Sequence, residues 1–208
     1  ALGGSREKAK LLAAFQFTVR GIPFTYQGEE IGMSQLEVDQ HRCLDPVSAP
    51  FRRLPGFIFR WIMKLTAGAV CRDGCRSPMQ WSAGPNAGFC PPEVEPWLPV
   101  CPDYRQVNVE TLSKEPDSVY GCCRRFLELR RRKEELRAAP LKLLPEADLP
   151  AGVLGYRRGS LTVLLNFSAH PRPVKGTILV STRSGREGSP AVDLKPWEGV
   201  VINTLLSQ

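Results

Sequence analysis

Along the first twenty positions Ala9, Leu12, Phe15, Gln16 and Val19 fall on one side at helical spacing, with Lys8 and Lys10 off it. Ser5 can cap such a helix, which then runs to about Arg20, where Gly21 stops it. The pattern changes at Ile22. From Ile22 to Gln27, Pro23 is followed by Phe24, Thr25 and Tyr26, a run that suits a short buried strand. Helix followed by buried strand predicts α/β architecture with parallel strands. One such strand cannot bury both faces alone, so further strands must lie beside it, supplied by more chain or by a partner.

From Gly28 to about Pro116 the periodicity dissolves. Asp45-Pro46, Leu54-Pro55-Gly56, Ala83-Gly84-Pro85-Asn86 and Pro91-Pro92 punctuate one long loop, and long ordered loops in compact proteins usually carry function. Asp117-Ser118 then opens a helix through about Ala138, with Val119, Cys122, Cys123, Phe126, Leu129 and Leu136 available to one face, and Pro140 ends it. Beyond Pro150 the segments 152–157, 161–167, 176–181 and 199–205 read as strands, the first two joined by a turn at Arg158-Gly159. They predict an antiparallel β-domain of roughly 60 residues. The boundary before it is placed between Leu144 and Pro150.

Composition alters this picture little. At 208 residues and 42% hydrophobic, the chain can bury a core and form one domain or two small ones. The formal charge of +7 invites a polyanionic partner. Much of the excess, however, lies on Arg124, Arg125, Arg130, Arg131, Arg132, Lys133 and Arg137, interleaved with Glu128, Glu134 and Glu135 in one helix. That is the pattern of a solvated helix face, and no nucleic-acid partner is expected. The apolar run from Phe57 to Cys71 carries Arg60 and Lys64 and falls short of the roughly 20 residues that cross a bilayer, so no membrane association is expected. Seven cysteines, two of them neighbours at Cys122-Cys123, do not suit a disulfide framework and read as reduced thiols of a cytoplasmic protein. Cys71 and Cys75 lack a second Cys or His pair, with His41 and His170 in unrelated segments, so neither metal nor cofactor is expected.

Two segments carry the chemistry: Gly21-Ile22-Pro23-Phe24-Thr25-Tyr26-Gln27-Gly28-Glu29-Glu30-Ile31-Gly32-Met33, and Cys71-Arg72-Asp73-Gly74-Cys75-Arg76-Ser77-Pro78-Met79-Gln80-Trp81. Together they resemble the α-glucosidase group of the α-amylase family of glycoside hydrolases. The resemblance continues through Pro96-Trp97-Leu98-Pro99-Val100, Tyr104-Arg105-Gln106-Val107-Asn108-Val109 and Asp117-Ser118-Val119, and covers nearly all of the chain. It implies the C-terminal end of a (β/α)8 barrel over residues 1–145, its last helix, strand and helix enclosing a long loop at 28–116. A small antiparallel β-sandwich would follow over 146–208.

The resemblance implies further that Arg72 reaches the terminal glucose and that Arg76 helps hold the pocket wall. Guanidinium forks and carboxylates pair well with vicinal hydroxyls; a purely structural salt bridge to Glu29, Glu30 or Asp73 is the alternative for both arginines. Asp73, Glu29, Glu30, Gln27 and Gly28 would support the site. Glu29 and Glu30 do not make a catalytic pair, since neighbours at a strand end point to opposite sides. Met79 and Trp81 read as pinning the loop more readily than as a sugar platform, and Ser82 stands where relatives often carry Asp. Asn166-Phe167-Ser168 reads as a strand end and not as a glycosylation site.

The family's nucleophile, acid-base and stabilising carboxylates match no segment of this chain, so no residue in it is assigned a catalytic role. The implied activity is that of a retaining α-glucosidase on short α-linked gluco-oligosaccharides. The isolated chain should be inactive, with the N-terminal part of the barrel as its missing partner. Trehalose- or sucrose-isomerising enzymes and the non-catalytic heavy subunits of amino-acid transporters are the alternatives.

Overall fold

The computed structural model describes residues 2–37, 39–66, 68, 70–190 and 193–203. Helices α1 (Arg6–Thr18), α2 (Gly56–Leu65), α3 (Val109–Leu112), α4 (Val119–Arg132) and α5 (Glu135–Ala138) precede seven strands. These are β1 (Leu141–Leu143), β2 (Val153–Arg158), β3 (Leu161–Asn166), β4 (Arg172–Pro173), β5 (Ile178–Ser181), β6 (Asp193–Leu194) and β7 (Gly199–Asn203). The chain divides into two compact units, Met33–Thr111 and Leu2–Gly32 together with Leu112 onward.

In the second unit, α1 starts where the Ser5 hydroxyl accepts the Lys8 amide and stops as Val19 turns extended. Its carbonyl end is closed from outside. Buried Arg130 of α4 donates to Phe17 O at 2.9 Å and Gly21 O at 2.5 Å, and Arg158 of β2 donates to Thr18 O at 2.6 Å. Cations at a helix C-terminus meet both the orphan carbonyls and the negative end of the dipole. Burial pulls both guanidinium pKa values down from their ordinary level. Arg130 therefore departs from the solvated face expected of it. Lys10 departs as well, being buried and paired with Asp117 at 3.1 Å just ahead of α4.

The helix expected to reach Ala138 breaks at Lys133, whose backbone is extended. The break turns Leu136 into the core and presents Leu136 O and Ala139 O to the Arg158 guanidinium. Strands β1-β2-β3-β7-β5 form an antiparallel sheet in that order, and β4 pairs with β6 in a two-stranded ribbon. The β2–β3 turn is Gly159-Ser160, with Arg158 opposite Leu161. Strand β1, at 141–143, joins this sheet ahead of the boundary placed near 144–150. Thr204 and Leu205, expected to extend the last strand, lie outside the described residues.

Alternation along the strands divides the core. Tyr156, Leu161, Val163, Leu165, Val180 and Val201 face Leu11, Ala14, Phe17, Cys122 and Phe126 of the helices. Leu164, Ile178, Val200 and Ile202 pack on the other face with Leu194 of β6. Each fully buried side chain of this size contributes about 1.5–3 kcal/mol of apolar transfer energy.

Residues 22–27 are not a paired strand here. Ile22 is 81% and Phe24 82% exposed, and the segment has no ladder partner among the described residues. The sheet of this unit is built from residues 141–203 and offers the segment no neighbouring strand, so the buried strand expected there is instead exposed.

Candidate functional site

The unit Met33–Thr111 has little regular structure beyond α2, and side chains set its shape. Two short segments, 43–45 and 71–73, are stitched together in both directions. The Asp45 carboxylate accepts from Arg72 Nε at 2.7 Å, Arg72 Nη2 at 2.8 Å and the Arg72 amide at 2.8 Å, as well as from the Val47 amide at 3.1 Å. In return Asp73 Oδ2 accepts the amides of Leu44 at 2.5 Å and Asp45 at 3.0 Å. Arg76 stands 3.9 Å from Asp73 Oδ1, a buried oxygen with no hydrogen-bond partner among the described residues.

These contacts set the electrostatics. Hydrogen bonds from the Arg72 side chain, and then from its amide, hold the Asp45 carboxyl well below the usual carboxylate range, and the same pair raises Arg72. Half of the Arg72 side chain remains exposed while Asp45 is fully covered. The arrangement is a guanidinium locked in orientation by a buried carboxylate on one edge, with a solvent-facing remainder that can donate to ligand oxygens. The sequence offers Glu29, Glu30 or Asp73 as the structural partner of Arg72, whereas in the structure that partner is Asp45. In the sequence Asp45 stands out only as a turn signal in Asp45-Pro46, and nothing in local spacing marks a partner 27 residues away.

The Pro78-Met79-Gln80-Trp81 segment is clamped chiefly by Gln80. Its fully buried amide donates to Val107 O at 2.6 Å and Asp103 Oδ1 at 3.1 Å, and Met79 is buried beside it. Trp81 is half exposed, so of the two residues expected to pin the loop only Met79 is buried. Its backbone is fixed through the Ala87 carbonyl, within a turn where Asn86 and Ala87 adopt left-handed backbone.

In the other unit, Gly28 and Gly32 take positive φ on either side of a single helical turn, Glu29–Ile31. Glu29 and Glu30 thus sit in a tight turn and not at a strand end. Exposed Glu29 accepts the Tyr26 amide at 3.0 Å, whereas Glu30 is half buried, with one oxygen lacking a hydrogen-bond partner among the described residues. Burial, then the neighbouring Cys122 and then Glu30 push the Cys123 thiol up to about 12. Gly28 is buried, while Gln27 is exposed.

Asn166 is fully buried, donating to His170 O and Lys195 O, which leaves no accessible amide for glycosylation. Among the described residues no helix is long and apolar enough to cross a membrane.

Residues 2–139 match the alpha amylase catalytic domain, two thirds of the chain, and the protein belongs to the α-amylase family. It is similar to the probable oligo-1,6-glucosidase 2 of Bacillus subtilis, 33% identical over 175 residues, 78% of this chain and 30% of that protein. The glucan 1,6-alpha-glucosidase of Streptococcus pneumoniae is 30% identical over 211 residues, 96% of this chain and 39% of that one. In three dimensions the trehalulose synthase from Pseudomonas mesoacidophila MX-45 superposes with a TM-score of 0.77 at 27% identity, covering 95% of this chain and 38% of the synthase. The chain spans between three and four tenths of the length of these relatives.

Proposed function

We propose that this chain is the C-terminal part of a retaining α-glucosidase that removes terminal glucose from short α-linked gluco-oligosaccharides. In that reading α1, the segment 22–27 and α4 are the last helix, strand and helix of the barrel, and residues 146–208 its β-domain. The observation that supports it most directly is the Arg72–Asp45 pair within the matched region, an oriented guanidinium with a free-facing side. In the complete enzyme Arg72 donates to hydroxyls of the terminal glucose and Arg76 holds the wall through Asp73. Gln27, Gly28, Glu29 and Glu30 shape and brace the floor.

Retaining hydrolysis needs two carboxyl groups about 5–5.5 Å apart across the scissile bond, one as nucleophile and one as acid and base. Those are assigned to the part of the barrel that precedes Ala1. The test is product analysis on isomaltose with the full-length protein and, in parallel, with this chain. Glucose from the former and none from the latter is the expected result. Turnover by the chain alone, abolished by Glu29→Gln or Glu30→Gln, overturns it.

Similarity to the trehalulose synthase favours one second reading, a sucrose-isomerising enzyme of the same family. Sucrose incubated with the full-length protein separates the two, since isomerisation returns a disaccharide and hydrolysis returns monosaccharides.

A further inference from the structure

The segments that carry the Arg72–Asp45 pair also bring two thiols together. Cys43 Sγ and Cys71 Sγ lie 2.7 Å apart, each about 1% exposed, 28 residues apart in sequence. Phe59 is buried against them, with Phe51 and Met63 packed around the cluster. Asp73 Oδ2 is 3.8 Å from Cys71 Sγ, so the three side chains could in principle hold a metal ion. Geometry argues against that use. Two thiolates on one tetrahedral zinc, with Zn–S near 2.3 Å, stand roughly 3.8 Å apart. The sulfur atoms here are already closer, the Asp73 oxygen nearest Cys71 is taken by two backbone amides, and the Arg76 cation stands beside the other.

We propose that Cys43 and Cys71 form a reversible disulfide that fastens the segment bearing Arg72 and Asp73 to the segment bearing Asp45. The co-reactant is a low-molecular-weight disulfide of the glutathione class. One cysteine, as thiolate, attacks a sulfur of that disulfide, forming a mixed disulfide and releasing one small thiol. The second cysteine then displaces the other small thiol. Two protein thiols become one disulfide, the small disulfide is reduced to two thiols, and the two protons end on them. Both sulfurs are buried and the Cys43 thiol is pushed up to about 12, chiefly by burial and then by Cys71. Exchange therefore proceeds from a locally opened or still folding loop, and the closed bond is shielded from reductant. This reaction revises the reading of all seven cysteines as plain reduced thiols. Cys75, the spaced neighbour of Cys71 in sequence, is exposed with its thiol turned to Arg72 O and has no part in it.

The test is made on the whole chain. It is incubated with oxidised glutathione, alkylated under denaturing conditions and digested with trypsin, which places Cys43 (43–52), Cys71 (65–72) and Cys75 (73–76) in separate peptides. The expected result is a 43–52 peptide covalently joined to 65–72, lighter by two hydrogen atoms than the sum of the two. Dithiothreitol should reverse it, and limited proteolysis between these positions should slow by about tenfold. Cys75→Ser leaves the link intact, and Cys43→Ser abolishes it. Full alkylation of both thiols after oxidation, a Cys71–Cys75 link, or a zinc ion held by the native chain and released on alkylation would each overturn the proposal.

Discussion

Arg72 and Asp45 meet edge to edge, Nε on Oδ2 at 2.7 Å and Nη2 on Oδ1 at 2.8 Å, with the carboxylate buried and half of the arginine side chain in solvent. The pair both aims the guanidinium and joins two segments that no α-helix or strand holds. A planar fork with two parallel bonds cannot be replaced by a point charge. Arg72→Lys in the full-length enzyme should therefore lower kcat/KM by about ten- to a hundredfold, mainly through KM if the contact is to bound sugar in ground and transition state alike. Steady-state kinetics on isomaltose reads the split.

Acid should open the same loop. The Asp45 carboxyl is depressed by Arg72 in the folded chain, so its stabilising effect is fully present above the unfolded value, about 3.9, and is lost as pH falls through the folded value. Protease sensitivity between residues 45 and 72 should rise progressively as the pH falls below about 4 in the wild type. Asp45→Asn should show it already at neutral pH, with no further acid step from this pair.

Arg158 closes the carbonyl ends of α1 and α5 with three donated bonds, to Thr18, Leu136 and Ala139. Arg158→Met keeps most of the volume but orphans those carbonyls, and should destabilise by about 3 kcal/mol, read as a lowered urea midpoint.

Two glycines with similar backbone separate strain from crowding. Gly32 (φ 68°) would place a Cβ 3.0 Å from Val119 Cγ2, whereas Gly185 (φ 77°) has nothing within 4 Å. Gly185→Ala should cost about 1 kcal/mol for the left-handed backbone alone, and Gly32→Ala measurably more, because the Val119 side chain must also give way. Thermal melts of the two variants side by side decide it.

Ile22, Phe24 and Tyr26 form an exposed apolar run in this chain. Phe24→Ser should raise the soluble, monomeric fraction of the isolated chain by size-exclusion chromatography while leaving its melting temperature unchanged, since the ring buries little here.

Features legible in the sequence were local or periodic. The Ser5 and Ser118 caps, the α4 face that packs Val119, Cys122, Cys123 and Phe126, the hairpin region at Gly159 and the strands β2, β3 and β7 follow from nearest-neighbour chemistry, and structure and sequence agree on them. The face of α1 does not: the expected side with Leu12, Phe15 and Gln16 gives way to Leu11, Ala14 and Phe17, and Leu12 is exposed, because the tertiary neighbours of a helix choose which side is covered. The Arg-Asp segment and the family resemblance were legible too, because both are contiguous words. Tertiary structure alone decided what depends on distant partners. It chose Asp45 for Arg72, Cys43 for Cys71, Asp117 for Lys10 and three carbonyls for Arg158, pairings between residues 19 to 140 positions apart. It also withheld a ladder from residues 22–27, since β-propensity states only that a segment can pair, and pairing needs a neighbouring strand. No local signal pointed from Cys71 to Cys43 either, for the same reason: proximity along the chain is a poor guide where an irregular loop is folded by its side chains.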